Sequence, residues 1–85
     1  MLVVDLKQGR YEIVQFITKS CTSFGRVKSI SVFLDSSPAA LIEMSTPEQT
    51  NELAAKLGGT IVGATTTALI RLEQKPHRAN VRQSP

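Results

Sequence analysis

Tryptophan is absent from this 85-residue chain, cysteine and histidine occur once each, and aromatic residues make up only 5%. Each shortage excludes something. A single thiol, Cys21, cannot close an internal disulfide, so bridging does not hold the fold together and a reducing compartment is the expected setting. One histidine, His77, and no spaced Cys/His cluster leave neither a metal site nor a nucleophile-base arrangement. The glycines at 58, 59 and 63 lack both the spacing and the lysine of a phosphate-binding loop. On these grounds the expectation is a non-enzyme that needs no metal and no cofactor. No run approaches the roughly 20 apolar residues of a membrane span. Met1-Leu2-Val3-Val4-Asp5 lacks the charged start and long apolar stretch of a secretory leader. The expectation is an intracellular protein with no membrane partner.

What is present is ordinary globular material, 41% hydrophobic and 20% charged, with a net charge of +3 and a pI near 9.4. A chain of this length makes one domain and buries about 60–65% of its unfolded surface, which allows one modest core but no deep cleft. The mild basic excess suits a phosphate-bearing partner without demanding one.

The pattern along the chain alternates between periods of two and of three to four. Leu2 to Leu6 is a short β-rich run. Val14, Ile17, Cys21 and Phe24 then recur at helical spacing, and Gly25 stands where that helix would stop. From Arg26 to Leu34 the period returns to two, with Val32 and Leu34 on one face and Ser31 and Phe33 on the other. Asp35-Ser36-Ser37-Pro38 reads as a turn, and Ala39 to Met44 as its return strand, with Ala40, Ile42 and Met44 inward. Thr46-Pro47-Glu48-Gln49 supplies a hydroxyl N-cap, a proline at the first helical position and a residue to complete a capping box. Thr50, Leu53, Ala54 and Leu57 make that helix's apolar face, and Gly58-Gly59 ends it. After a short segment at 60–63, Thr66 to Leu72 is a last strand. Residues 76–85 read as a basic, disordered tail following a domain at 1–75.

The order β-α-β-β-α-β predicts an α+β fold of ferredoxin-like type, a four-stranded antiparallel sheet with both helices on one face. The other face is then open to solvent, and function is expected there.

Five pieces, in order, resemble an RNA-recognition motif: Leu2-Val3-Val4-Asp5-Leu6, Ser23-Phe24-Gly25-Arg26-Val27, Ala39 to Met44, Lys56-Leu57-Gly58-Gly59, and Ala68 to Leu72. The resemblance extends over nearly the whole chain to Lys75. It departs at the stacking aromatics, whose places hold Leu2, Ala39 and Leu41. The chain is similar in this to the aromatic-poor branch that includes the polypyrimidine-tract-binding protein, heterogeneous nuclear ribonucleoprotein L and the matrin-type proteins. Arg10-Tyr11, Ser45-Thr46 and Leu72 to Lys75 resemble the matrin type in particular. That resemblance implies a module for single-stranded RNA, leaning to pyrimidines, weak in isolation and monomeric. It also implies a setting in ribonucleoprotein and mRNA processing, with the nucleus favoured over the cytoplasm.

The candidate RNA-binding residues are Leu2, Val4, Phe33, Ala39, Leu41, Leu69, Arg71, Lys75, His77 and Arg78. Phe33 is the expected stacking platform, displaced to the second strand, the alternative being that a bulge returns it to the core or the tail covers it. Leu2, Val4, Leu41 and Leu69 extend an apolar patch around it. Arg71, Lys75, His77, Arg78 and Arg82 form a basic string for phosphates, to which Arg26 and Lys28 could add. Glu43 and Glu73 interrupt the positive surface but could accept from the exocyclic amine of cytosine. An apolar patch fits a peptide as well as bases. A protein-interaction module on the same scaffold is therefore the alternative, although Gly63-Ala64-Thr65 does not match the Arg-x-Phe loop of one such subtype. A ligand-binding domain formed between paired subunits is a third reading of this topology. Cys21 and Tyr11 are expected to be packing residues.

Overall fold

The computed structural model describes residues 1–64 and 66–76. Their order is β1 (Leu2–Val4), α1 (Arg10–Cys21), a single 3-10 turn (Thr22–Phe24), β2 (Val27–Phe33), β3 (Ala39–Met44), α2 (Pro47–Leu57), β4 (Thr60–Val62) and β5 (Thr67–Gln74). Two helices lie against a five-stranded mixed sheet.

Helix α2 starts where its sequence says. In α2 the Thr46 hydroxyl accepts from the Gln49 N–H at 3.2 Å, Pro47 occupies the first turn, and Gly58 closes the helix with φ of +67°, a conformation glycine adopts without a Cβ clash. Gln49 does not complete the capping box. Its amide lies over Gly25 instead, and its Oε1 is buried with no hydrogen-bond partner among the described residues. Helix α1 stops at Cys21 rather than running to Phe24. The hydroxyls of Ser20, Thr22 and Ser23 donate to the carbonyls of Phe16, Lys19 and Ser20, and such local bonds compete with a continuing helix. Its buried face is Ile13, Ile17 and Cys21, while Val14 and Phe24 pack half-buried at the margin.

The sheet differs from the expected four antiparallel strands in two respects. There is a fifth strand, β4, which forms a hairpin with β5 (Thr60↔Leu69, Ile61↔Ala68, Val62↔Thr67). And β1 runs parallel to β5, paired Leu2↔Leu72 through Val4↔Gln74. The order is β1-β5-β3-β2, with β4 also on β5. Strand β5 is eight residues long and carries the two short strands end to end along one edge, β4 on its first half and β1 on its last. Its length makes it the central strand. Gln74 fastens the β1 end: its side-chain carbonyl accepts from Leu6 N–H at 2.9 Å, and Lys75 N–H donates to Val4 O at 2.8 Å.

A bulge between Val27 and Ser29 explains why Val27 and Ile30, three residues apart, both face the helices. Arg10, in the first turn of α1, donates to the Val32 carbonyl and ties that helix to the edge strand β2. The core is one cluster between the helices and a single face of the sheet, with Ile13, Ile17, Ala40, Ile42, Leu53 and Ile70 wholly inaccessible. Gly59 is required there by space. A Cβ at that position would come within 2.3 Å of Ile70 Cδ1 and 2.7 Å of the Leu69 carbonyl.

Two side chains expected on the open face belong to this core instead. Leu2 and Val4 are 7% and 2% exposed, and the residue of β1 that faces solvent is Val3, at 42%. Three consecutive apolar residues carry no alternation, so either face satisfies the pattern, and a shift of one residue exchanges the faces. The tail expected from 76 onward falls outside the described residues from 77 on, and His77, Arg78 and Arg82 with it.

Candidate nucleic-acid interface

With the helices on one side, the outward positions of each strand make the other face. Cross-strand partners share a face, so the register fixes its layout. One row runs Phe33–Ala39–Arg71 across β2, β3 and β5. The next runs Ser31–Leu41–Leu69–Thr60 and reaches β4. At one end Ser29 lies beside Glu43; at the other Val3 lies beside Glu73.

The first row is the most distinctive. Phe33 is 45% exposed, Arg71 is exposed, and Ala39 stands between them as a half-buried floor. Strands are spaced about 4.8 Å apart, so the backbones that carry the ring and the guanidinium lie roughly 10 Å apart, with the short Ala39 side chain between them. Leu41 and Leu69, both half-buried, continue the apolar surface in the second row. Thus Phe33, Ala39, Leu41, Leu69 and Arg71 are brought together as expected.

Charge on this face is balanced rather than basic. Arg71 and Lys28 are matched by Glu73 and Glu43, and Lys28 Nζ lies 3.6 Å from Glu43 Oε2. Lys75 sits beyond the end of β5. There it lines a small cleft of about 150 Å³ with Asp5, Gln8 and Phe16, at the α1 side of the molecule, and is not part of the rows above.

A second, larger groove of about 310 Å³ lies where β2 and β3 meet the start of α2 and the β4–β5 turn, lined among others by Lys28, Glu43, Ser45, Pro47, Ala64 and Thr66. Met44 and Thr50 are buried at its base. Sequence reading singled out Lys28 and Glu43 separately but not this groove, because it depends on the β4–β5 hairpin folding back beside α2. The overlooked signal was the β-branched Thr60-Ile61-Val62 run before Gly63, which is a short strand and a turn.

Cys21 is fully buried, and desolvation pushes its thiol up to about 11, which keeps it protonated and unreactive. Among the described residues no group of three or more His, Cys, Asp or Glu is placed to hold a metal ion, and no helix is long and apolar enough to cross a membrane. The chain matches no protein-family model, no curated protein and no solved structure.

Proposed function

We propose that this chain is a non-catalytic module that binds single-stranded RNA on the open face of its sheet. The observation that carries the reading is the Phe33–Ala39–Arg71 row. A base stacks on an exposed aromatic ring regardless of its identity, and a cation carried two strands away on the same face is available for a neighbouring phosphate. Alanine between them leaves room that a larger residue would fill. One ring and one nearby cation make a weak site, so neighbouring modules would be needed for tight binding.

The reading includes an architecture of ferredoxin-like type in the sense that matters for binding: both helices on one side and a free face on the other. The resemblance to RNA-recognition motifs is its second support. The edge position of β1 weighs against the resemblance, since the strand that matches the family's first motif presents only Val3 outward.

A peptide-binding reading is favoured by one specific observation. Leu41, Leu69 and Val3 are aliphatic, and the charges around them cancel, which suits an apolar peptide better than a polyanion. Titrating the labelled protein with short single-stranded RNAs at low salt separates the two. The RNA reading expects amide shifts at Phe33, Ala39, Leu41 and Arg71, and an affinity that falls as salt is added. Phe33→Ala should weaken binding about 5- to 150-fold, the value of one lost stacking contact. A folded protein in which no RNA moves these signals, while an apolar peptide does, would refute the RNA reading.

A further inference from the structure

We infer that the outer edge of β2 is a pairing surface for the β2 of a second copy of this chain, and that the Arg10 side chain guards it and holds the protein as a monomer. This goes beyond the RNA reading and stands independently of it.

Strand β2 ends the sheet. It pairs with β3 on one side, and among the described residues no strand pairs with it on the other. Successive residues of an antiparallel strand turn both their N–H and C=O to one neighbour and then to the other. The Ser45 N–H donates to the Arg26 carbonyl, which sets the parity of the β2–β3 ladder. Positions 43, 41 and 39 of β3 then exchange hydrogen bonds with Ser29, Ser31 and Phe33. Ile30 and Val32 therefore aim their backbone groups outward. The Arg10 contact agrees with this: from the first turn of α1 its guanidinium donates to the outward carbonyl of Val32.

An edge strand resists pairing when it is very short, charged, interrupted by proline, bulged or covered. Strand β2 is seven residues long, and Ser29 to Phe33 contains no charge, proline or glycine. The bulge and Lys28 blunt only its first end. Ile30 and Leu34 lie half-buried against the rim of the core, so apolar surface accompanies the bare backbone. At the other end the one protecting feature is the Arg10 side chain.

The edge is complementary to itself, which is why a second copy is the occupant. About a two-fold axis at Ser31, Ile30 of each copy lies opposite Val32 of the other, and each such pair exchanges its N–H and C=O hydrogen bonds clear of the bulge. Lys28 then falls opposite Leu34, and Phe33 opposite Ser29, so no like charges meet. An axis at Ile30 would instead set Val32 against the bulge at Lys28. In the Ser31 register each Val32 carbonyl must accept the Ile30 N–H of the other copy. That is the carbonyl Arg10 holds. One guanidinium in each copy thus takes the acceptor from one bond of each pair and brings a positive charge to an otherwise uncharged edge.

The test uses the 85-residue protein, with mass from sedimentation equilibrium and folding checked by circular dichroism. Arg10→Met keeps the apolar stem and removes the donor, and its mass should double as concentration is raised. The wild type should stay monomeric, and so should Arg10→Lys, which keeps a charged donor of similar reach. Amide exchange locates the contact. In the wild type the outward N–H groups of Ile30 and Val32 should exchange faster than those of Ser31 and Phe33, and in the Arg10→Met dimer they should slow by about tenfold or more. Arg10→Gln, too short to reach the carbonyl, is the second variant should the first not fold. A folded Arg10→Met or Arg10→Gln protein that stays monomeric would overturn the inference, as would a dimer in which Ile30 and Val32 exchange as fast as in the wild type. A wild type that is already dimeric would overturn it too, and so would one whose Ile30 and Val32 amides are as protected as their ladder-bonded neighbours.

Discussion

Thr50 offers the sharpest test of how α2 is fixed to the sheet. It is the buried polar residue of the core, with no exposed surface, and its Oγ1 accepts from the Met44 N–H at 2.9 Å while donating to the Thr46 carbonyl at 3.3 Å. Replacing Thr50 with valine keeps the shape and removes the hydroxyl. The Thr46 carbonyl retains a partner, because it also accepts the Thr50 N–H at 3.2 Å. The Met44 N–H, at the end of β3, loses the hydroxyl that satisfies it. An orphaned buried donor costs about 1–3 kcal/mol, and each 1 kcal/mol lowers the midpoint of a domain this size by about 4–8 °C. Thr50→Val should therefore melt about 4–24 °C below the wild type in a thermal scan followed by circular dichroism. Thr50→Ser keeps the hydroxyl and loses one methyl, about 1 kcal/mol, and so falls by less. A valine variant as stable as the wild type, or more stable than the serine variant, would mean that the hydroxyl does not anchor the helix and that Thr50 acts only as an apolar filler.

Further outcomes follow from the placement of other residues. Val4→Ala should destabilise by about 1.5–3 kcal/mol in urea titrations with no separate effect on binding, while Val3→Ala should leave stability nearly unchanged. A binding defect in a fully stable Val4 variant would contradict its burial. Gly59→Ala should lower stability by about 2 kcal/mol or more, since the added methyl meets the Leu69 carbonyl and not merely a side chain that can turn. Burial raises the Cys21 thiol from an ordinary 9 to about 11, so the folded state holds its proton more tightly than the unfolded state and stability falls as pH rises through that window. Relative to Cys21→Ala, the wild type should lose on the order of 1 kcal/mol between pH 8 and pH 10; equal losses in the two proteins would refute the assignment.

Much of the fold was legible in short patterns. Strand β3 matches its expected span because Ala39 to Met44 alternates cleanly and is bounded by Pro38 and Ser45. Helix α2 was readable because cap, proline and terminal glycine agree with one another. The register of Phe33, Leu41, Leu69 and Arg71 followed from the same alternation, and with it the centre of the candidate interface. Other features had no local signature. Thr50 fits an apolar helix face by spacing, and its role as an acceptor for β3 is visible only once the helix is docked. Lys28 and Glu43 are fifteen residues apart, and it takes a bulge to join them.

The placement of β1 is the most consequential of these. A strand's neighbour is chosen by long-range pairing, and three residues specify little of it. Leu2, Val3 and Val4 would serve in the middle of a sheet or at its rim. The decision is made from the other side, by β5. Its Thr67–Leu69 half is already paired with β4, through a four-residue connection that closes with little loss of entropy. The Leu72–Gln74 half remains, and its amide side chain at Gln74 supplies a partner for the Leu6 N–H as the chain leaves β1. With β5 central, β3 meets β5 rather than β1, and the open face is framed by residues of β2, β3 and β5. Any base laid on Phe33 therefore has the long last strand, with Leu69 and Arg71, as its neighbour, and the first strand contributes only Val3 at the margin. Binding should accordingly be far more sensitive to Arg71→Ala than to Val3→Ala; affinities that respond equally to both, measured by anisotropy on the same RNA, would place the bound strand across β1 and refute this layout.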